Sequence, residues 1–151
     1  MGAWFPQLLD VDDAFAEEHL LPAEYRLYRQ MDRRDRHHAC FVTKTLLMQE
    51  PGVSSVLVRA ALLHDVGKVR LPYRLWQRIA VHLYSPRNLP SEPPMSGLRG
   101  AWQVKLHHAQ YGAEMIRSVG GGEAVAQLVA RHHRPGADAQ AILLKRIDEK
   151  T

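Results

Sequence analysis

The 151-residue sequence has one cysteine, Cys40. No disulfide can form within the chain, and a lone thiol fits a reducing cytoplasm. No run of about 18 apolar residues occurs, which excludes a bilayer-spanning helix. Trp4, Phe5, Leu8 and Leu9 near the start are followed at once by Asp10, Asp12 and Asp13. That order lacks the basic start and continuous apolar stretch of a secretory leader. Aromatic residues make up only 7% of the chain, and its basic residues form no tract. A nucleic-acid surface combines clustered cations with stacking rings, so none is indicated. Convincing two-residue alternation is absent, as are Asn-Gly and Asp-Gly pairs. Hairpins and sheets are therefore not expected.

What is present describes a globular chain of one domain, with 46% hydrophobic and 24% charged residues. The formal charge of +4 favours anionic ligands through long-range attraction. Helical signals run almost throughout. Pro22 suits a helix start and opens "AEYRLYRQM"; a second helix runs from about Asp32 to Glu50 and stops at Pro51-Gly52. A third begins near Ser54 and ends at Gly67, where glycine suits a left-handed closing position. Pro72 opens a fourth, "YRLWQRIAVHLY", and "SPRNLPSEPPMSG" reads as a connecting loop. Later helices are expected at about Gly100–His107, Ala109–Val119, Glu123–His133 and Ala137–Lys150. The fold expected is all-α, a compact bundle of about seven to eight helices. Residues 1–21 form an N-terminal segment packing on a domain of residues 22–151.

Nine histidines stand out, because seven lie in adjacent pairs or beside an aspartate. In "VLVRAALLHDVGK" the helix is apolar nearly all round, the mark of a buried central helix. His64 and Asp65 sit where that helix leaves the core. An unpaired carboxylate there is costly, and both a cation and the partial negative charge of the helix end bear on it. His38 lies beside the Ala39–Val42–Leu46 stripe and points inward, whereas His37 faces the rim. His108 joins the small stripe Ala109–Gly112–Ala113–Ile116, where Gly112 leaves room beside the imidazole; His107 shares a face with Tyr111 and Glu114. His132 continues Val125–Leu128–Val129, His133 continues Ala126–Val129–Ala130, and Asp148 follows Ala141 and Leu144. Ionisable groups thus occupy inward positions of five helices. Divalent metal satisfies them together; mutual His–Asp hydrogen bonding is the competing arrangement. Cys40 reads as a packing residue, His19 and His82 as surface positions, and Trp4, Trp76 and Trp102 as core anchors.

These residues, in this order, resemble the HD-domain superfamily of metal-dependent phosphohydrolases, whose motif is H…HD…D on a helical bundle. His38 matches the first His, His64-Asp65 the namesake pair and Asp148 the last Asp; "HDVGK" looks like the HD-x-G-K form. "HAQYGAE" and "ARHH" resemble the two-metal subgroup, through His108, His132 and His133. Members that hydrolyse cyclic dinucleotides often carry Gly-Tyr-Pro after the His pair. Here the chain reads "RHHRPGAD".

The resemblance implies one or two divalent ions held by His38, His64, Asp65, His108, His132, His133 and Asp148. Imidazole and carboxylate together suit Mn, Fe, Co, Ni or Zn, with Mg less favoured, and leave the identity open. Asp65 is the natural bridge between ions. A metal-activated hydroxide would attack phosphorus in line. Lys68 would meet a substrate phosphate as a point charge, and Arg36 would grip one bidentately; Arg131 and Arg134 flank the His pair. The implied activity is hydrolysis of a phosphomonoester or phosphodiester of a small molecule, a nucleotide above all. A di-iron oxygenase of the same superfamily and a non-catalytic metal-binding module are the alternatives.

Overall fold

Short-range hydrogen bonds start the helices of this chain. The computed structural model describes residues 10–70, 75–84 and 86–151. Among them lie eight α-helices and no strand: α1 (Asp13–His19), α2 (Pro22–Gln30), α3 (Arg33–Gln49), α4 (Ser55–Leu63), α5 (Leu75–Leu83), α6 (Gly97–Ser118), α7 (Glu123–Arg131) and α8 (Ala139–Lys150). Asp12, Asp32, Ser54 and Asp138 accept from the first free backbone N–H groups of α1, α3, α4 and α8. Pro22 stands at the start of α2, and the Glu24 carboxylate accepts from Leu21 N–H at 3.0 Å. Trp4, Pro72 and the side chain of Trp76 lie outside the described residues.

Helix α4 is the central element. Leu57, Val58, Ala60, Ala61, Leu62 and Leu63 are all buried, and α4 packs against α1, α2, α3, α7 and α8. Each buried leucine contributes roughly 1.5–3 kcal/mol. Leu46, Ile116, Val129, Leu144 and Ile147 complete the same core. Arg59, the one charge on α4, reaches the fully buried Glu24 of α2 and the carbonyl of Gly121. Ala16 and Leu20 carry the N-terminal region into this core.

Three local expectations change. The third helix does not run to Gly67: α4 ends at Leu63, His64 caps it in right-handed geometry, and Val66–Arg70 forms a 3₁₀ segment. Gly67 is not left-handed; among the described residues the glycines with positive φ are Gly97, Gly120, Gly122 and Gly136. Its missing side chain serves close packing instead, since a Cβ there would lie 1.9 Å from the His108 carbonyl oxygen and 2.6 Å from Gly112 N. Gly112 likewise faces Gly67 and Val66, so the room it leaves is taken by the 3₁₀ backbone. Finally, α6 passes unbroken through His107-His108, because nothing there interrupts its hydrogen bonds and one glycine costs a helix only about 1 kcal/mol.

The proline-rich connector is tied along α6. The Gln103 amide donates to the Pro90 and Pro93 carbonyls at 2.9 Å each and accepts from Met95 N–H at 3.0 Å. Tyr111 donates to Ser91 O at 2.7 Å and His107 to Leu89 O at 2.6 Å. Trp102 is half-buried rather than a core anchor; its indole N–H holds the Tyr84 carbonyl at 2.7 Å.

Candidate metal centre

Five helices and the turn after α4 bring the seven predicted ligands to one place. His38 comes from α3, His64 from the end of α4, Asp65 from the turn that follows, His108 from the middle of α6, His132 and His133 from the end of α7, and Asp148 from α8. His38 Nε2 lies 2.9 Å from Asp148 Oδ1. His64 Nε2 is 3.4 Å from both Asp65 Oδ2 and Asp148 Oδ1. Across the carboxylate, Asp65 Oδ1 is 3.2 Å from His108 Nε2, which in turn is 3.0 Å from His133 Nε2. His132 packs its ring against His64, His108 and His133.

The outer nitrogens decide what the inner ones can do. Nδ1–H of His64 donates to Ala61 O at 2.8 Å, that of His108 to Lys105 O at 3.1 Å and that of His132 to Val129 O at 2.6 Å. Each uses the carbonyl three residues back, a bond the helix end or helix face offers for free. Nδ1 is thereby the donor in each ring, and each Nε2 faces the interior. Nε2 of His64 and of His132 is buried with no hydrogen-bond partner. A lone pair facing carboxylate oxygens is repulsive unless a proton or a metal ion stands between them. The donor set therefore fits divalent metal.

Two trios have ligand atoms all within 4.8 Å of one another: His38, His64 and Asp65, and His108, His132 and His133. Asp65 offers one oxygen toward each.

The electrostatics follow from this crowding. Burial opposes ionisation of Asp65 and Asp148, yet neighbouring histidines, with Lys68 for Asp65, hold both carboxyls well below their usual range. Burial alone would lower His64, but Asp65 and Asp148 push it up to about 9. Burial and the adjacent imidazoles push His132 far down and His133 to about 4. His132 and His133 are thus neutral donors at neutral pH.

A family model described as HD domain matches residues 36–150. The chain belongs to the HD-domain superfamily of metal-dependent phosphohydrolases. No curated protein and no solved structure matched. The HD match begins after α1 and α2, and it takes in every residue of the two trios as well as Asp148.

A cavity of about 440 Å³ adjoins the HD centre, with Lys68, His82, Lys105, His108, His133 and Arg134 in its lining. A second, of about 340 Å³, shares His133 and Arg134 and includes Arg87, Asn88 and Gln110. Lys68 donates to Asp65 Oδ2 at 2.7 Å, so it stands between the carboxylate and the cavity. Arg36 is engaged elsewhere: its guanidinium pairs with Asp13 of α1, which also binds Arg29 and Tyr28. Arg131 pairs with Asp138 at 3.4 Å. His82, expected at an ordinary surface, reaches the cavity wall. Lys105 escaped sequence reasoning, although its place one turn before His108 on the same helix was the available signal.

Proposed function

We propose that this HD domain is a phosphohydrolase that cleaves a phosphomonoester or phosphodiester of a small molecule, a nucleotide being the favoured class. The reading rests above all on the buried, unpartnered Nε2 atoms of His64 and His132, aimed inward beside ionised carboxylates. His38, His64 and Asp148 would hold one divalent ion and His108, His132 and His133 another, with Asp65 between them. Ions bound there supply a nucleophile from water at neutral pH and draw charge from a phosphoryl oxygen. The residues do the rest. Carbonyls of Ala61, Lys105 and Val129 keep three imidazoles in the donor tautomer. Lys68 meets the phosphate from the cavity wall, and Asp65 keeps its ammonium in place. Phosphate gripping falls to Lys68 rather than Arg36, whose guanidinium Asp13 occupies. The cavity has the volume of a small-molecule site, for which roughly 300–1,000 Å³ is usual.

The test combines metal content with phosphate release from a panel of nucleotides, cyclic nucleotides and sugar phosphates. Wild type should retain divalent metal and release phosphate, and Asp65→Asn should lose both. Full metal and turnover in Asp65→Asn would sink the assignment. Dioxygen consumption without phosphate release would move the site to the oxygenase class, and metal retention with no turnover to a binding module.

A further inference from the structure

Several partly buried basic side chains of this protein meet an acid. Arg36 pairs with Asp13, Arg59 with Glu24 and Arg70 with Glu92. Lys105, also partly buried, and Arg134, exposed in the turn after α7, do not. Lys105 is half-buried on α6, and its Nζ donates to the Val81 carbonyl at 2.6 Å, which fixes the ammonium at the cavity wall. Arg134 follows His133 in the turn after α7 and lines the same cavity. Among the described residues neither pairs with a carboxylate.

Two unneutralised cations therefore face one chamber beyond the one lysine that serves the metal centre. A monoester phosphate held at Lys68 is already matched by Lys68 and the ions its centre would carry. It leaves the other two charges unanswered. A second anionic group on the same molecule would answer them, and the fixed geometry lowers the cost of ordering the site. Arg134 also borders the second cavity, which gives the organic part of such a molecule somewhere to lie.

We infer that Lys105 and Arg134 form a second anion subsite, and that the substrate is a small molecule bearing two phosphoryl groups. Lys68 and the metal centre take the one to be cleaved; Lys105 and Arg134 take the one retained. This deepens the phosphohydrolase reading and rests on it for the identity of the cleaved group.

The probes are methylphosphonate, with one anionic head, and methylenediphosphonate, with two heads and no cleavable ester. Their binding to the full chain is measured by calorimetry, both as purified and after metal is stripped. Wild type should prefer the two-headed probe by about tenfold or more in both preparations. Lys105→Gln and Arg134→Gln should each reduce that preference to about threefold or less, with methylphosphonate affinity nearly unchanged. Arg134 is exposed in a turn, so its substitution leaves the core intact, and melting curves verify both variants. Equal binding of the two probes by stripped wild type, an undiminished preference in both variants, or no binding of either probe overturns the subsite. Because stripped protein carries no metal, these results stand apart from the phosphohydrolase test. Phosphate release with no two-headed preference sinks the subsite alone, and a preference without metal or turnover sinks the hydrolase reading alone.

Discussion

His108 Nε2 stands 3.2 Å from Asp65 Oδ1 while the other ring nitrogen donates to the Lys105 carbonyl. A ring nitrogen so placed needs a proton or a metal ion between it and the carboxylate oxygen. The same relationship recurs at His64, with Asp65 and Asp148 as the carboxylates. Positive charge between these atoms turns a repulsion into two bonds, and it is the shared placement of Asp65 that joins the two halves of the centre.

That division predicts separable metal positions. His133→Ala should remove the ion of the α6–α7 side and His38→Ala the ion of the α3–α8 side. Each variant should lower the metal-to-protein ratio by roughly half, while Asp65→Asn strips both. Elemental analysis of purified variants reads this directly. Complete loss in either single histidine variant would mean one ion shared by all seven ligands.

Gly67→Ala should destabilise the fold by about 3 kcal/mol or more, because the added Cβ meets backbone of α6 that has nowhere to move. Gly52→Ala is the matched control. A Cβ there meets nothing within 4 Å and the backbone is not left-handed, so the change should be neutral or add about 0.5 kcal/mol. Urea unfolding of both variants tests the contrast. Equal stability would remove the close approach from the account of this glycine.

Arg59→Met should cost about 3 kcal/mol, since it leaves the fully buried Glu24 carboxylate without its cation. Adding Glu24→Gln to that variant should recover part of the loss by removing the stranded charge. A double variant less stable than the single one would show the pair to be dispensable to Glu24.

Stability should fall in alkali. Burial holds the Cys40 thiol above its ordinary 9.0, and burial together with the Cys40 and Asp13 contacts holds the Tyr28 hydroxyl well above its ordinary 10.0. The folded state thus binds these protons more tightly than the unfolded chain does. Their contribution is complete below about pH 9 and is lost as pH rises past the unfolded values toward the folded ones. Melting temperatures from pH 8 to about pH 11 should decline, and Tyr28→Phe should flatten the decline above about pH 10. A flat profile in wild type would contradict this. In the same fold Cys40 should resist alkylation until denaturant is added.

Much of the site was legible because helical periodicity is a strong local signal. His38, His108 and Asp148 fall on apolar stripes that can be counted along the chain, and the end of an all-apolar helix marks His64 and Asp65. Other features had no such signature. Gly67 could be read as a helix terminator from its neighbours alone, whereas its close contact with His108 and Gly112 depends on how α6 crosses the 3₁₀ segment. The continuity of α6 was hidden because a His-His pair carries no helix signal of its own. Arg36 looked like an anion binder until α1 brought Asp13 to it.

The amino-acid order by itself determined the all-helical class, most of the helix starts and the set of seven candidate metal ligands, since capping and periodicity act within a few residues. Tertiary structure alone decided the gathering of six of those side chains into two trios, the partner of Arg59 and the cavity that gathers Lys68, Lys105 and Arg134. Those outcomes depend on helix crossings between residues far apart in the chain, where no local rule reaches.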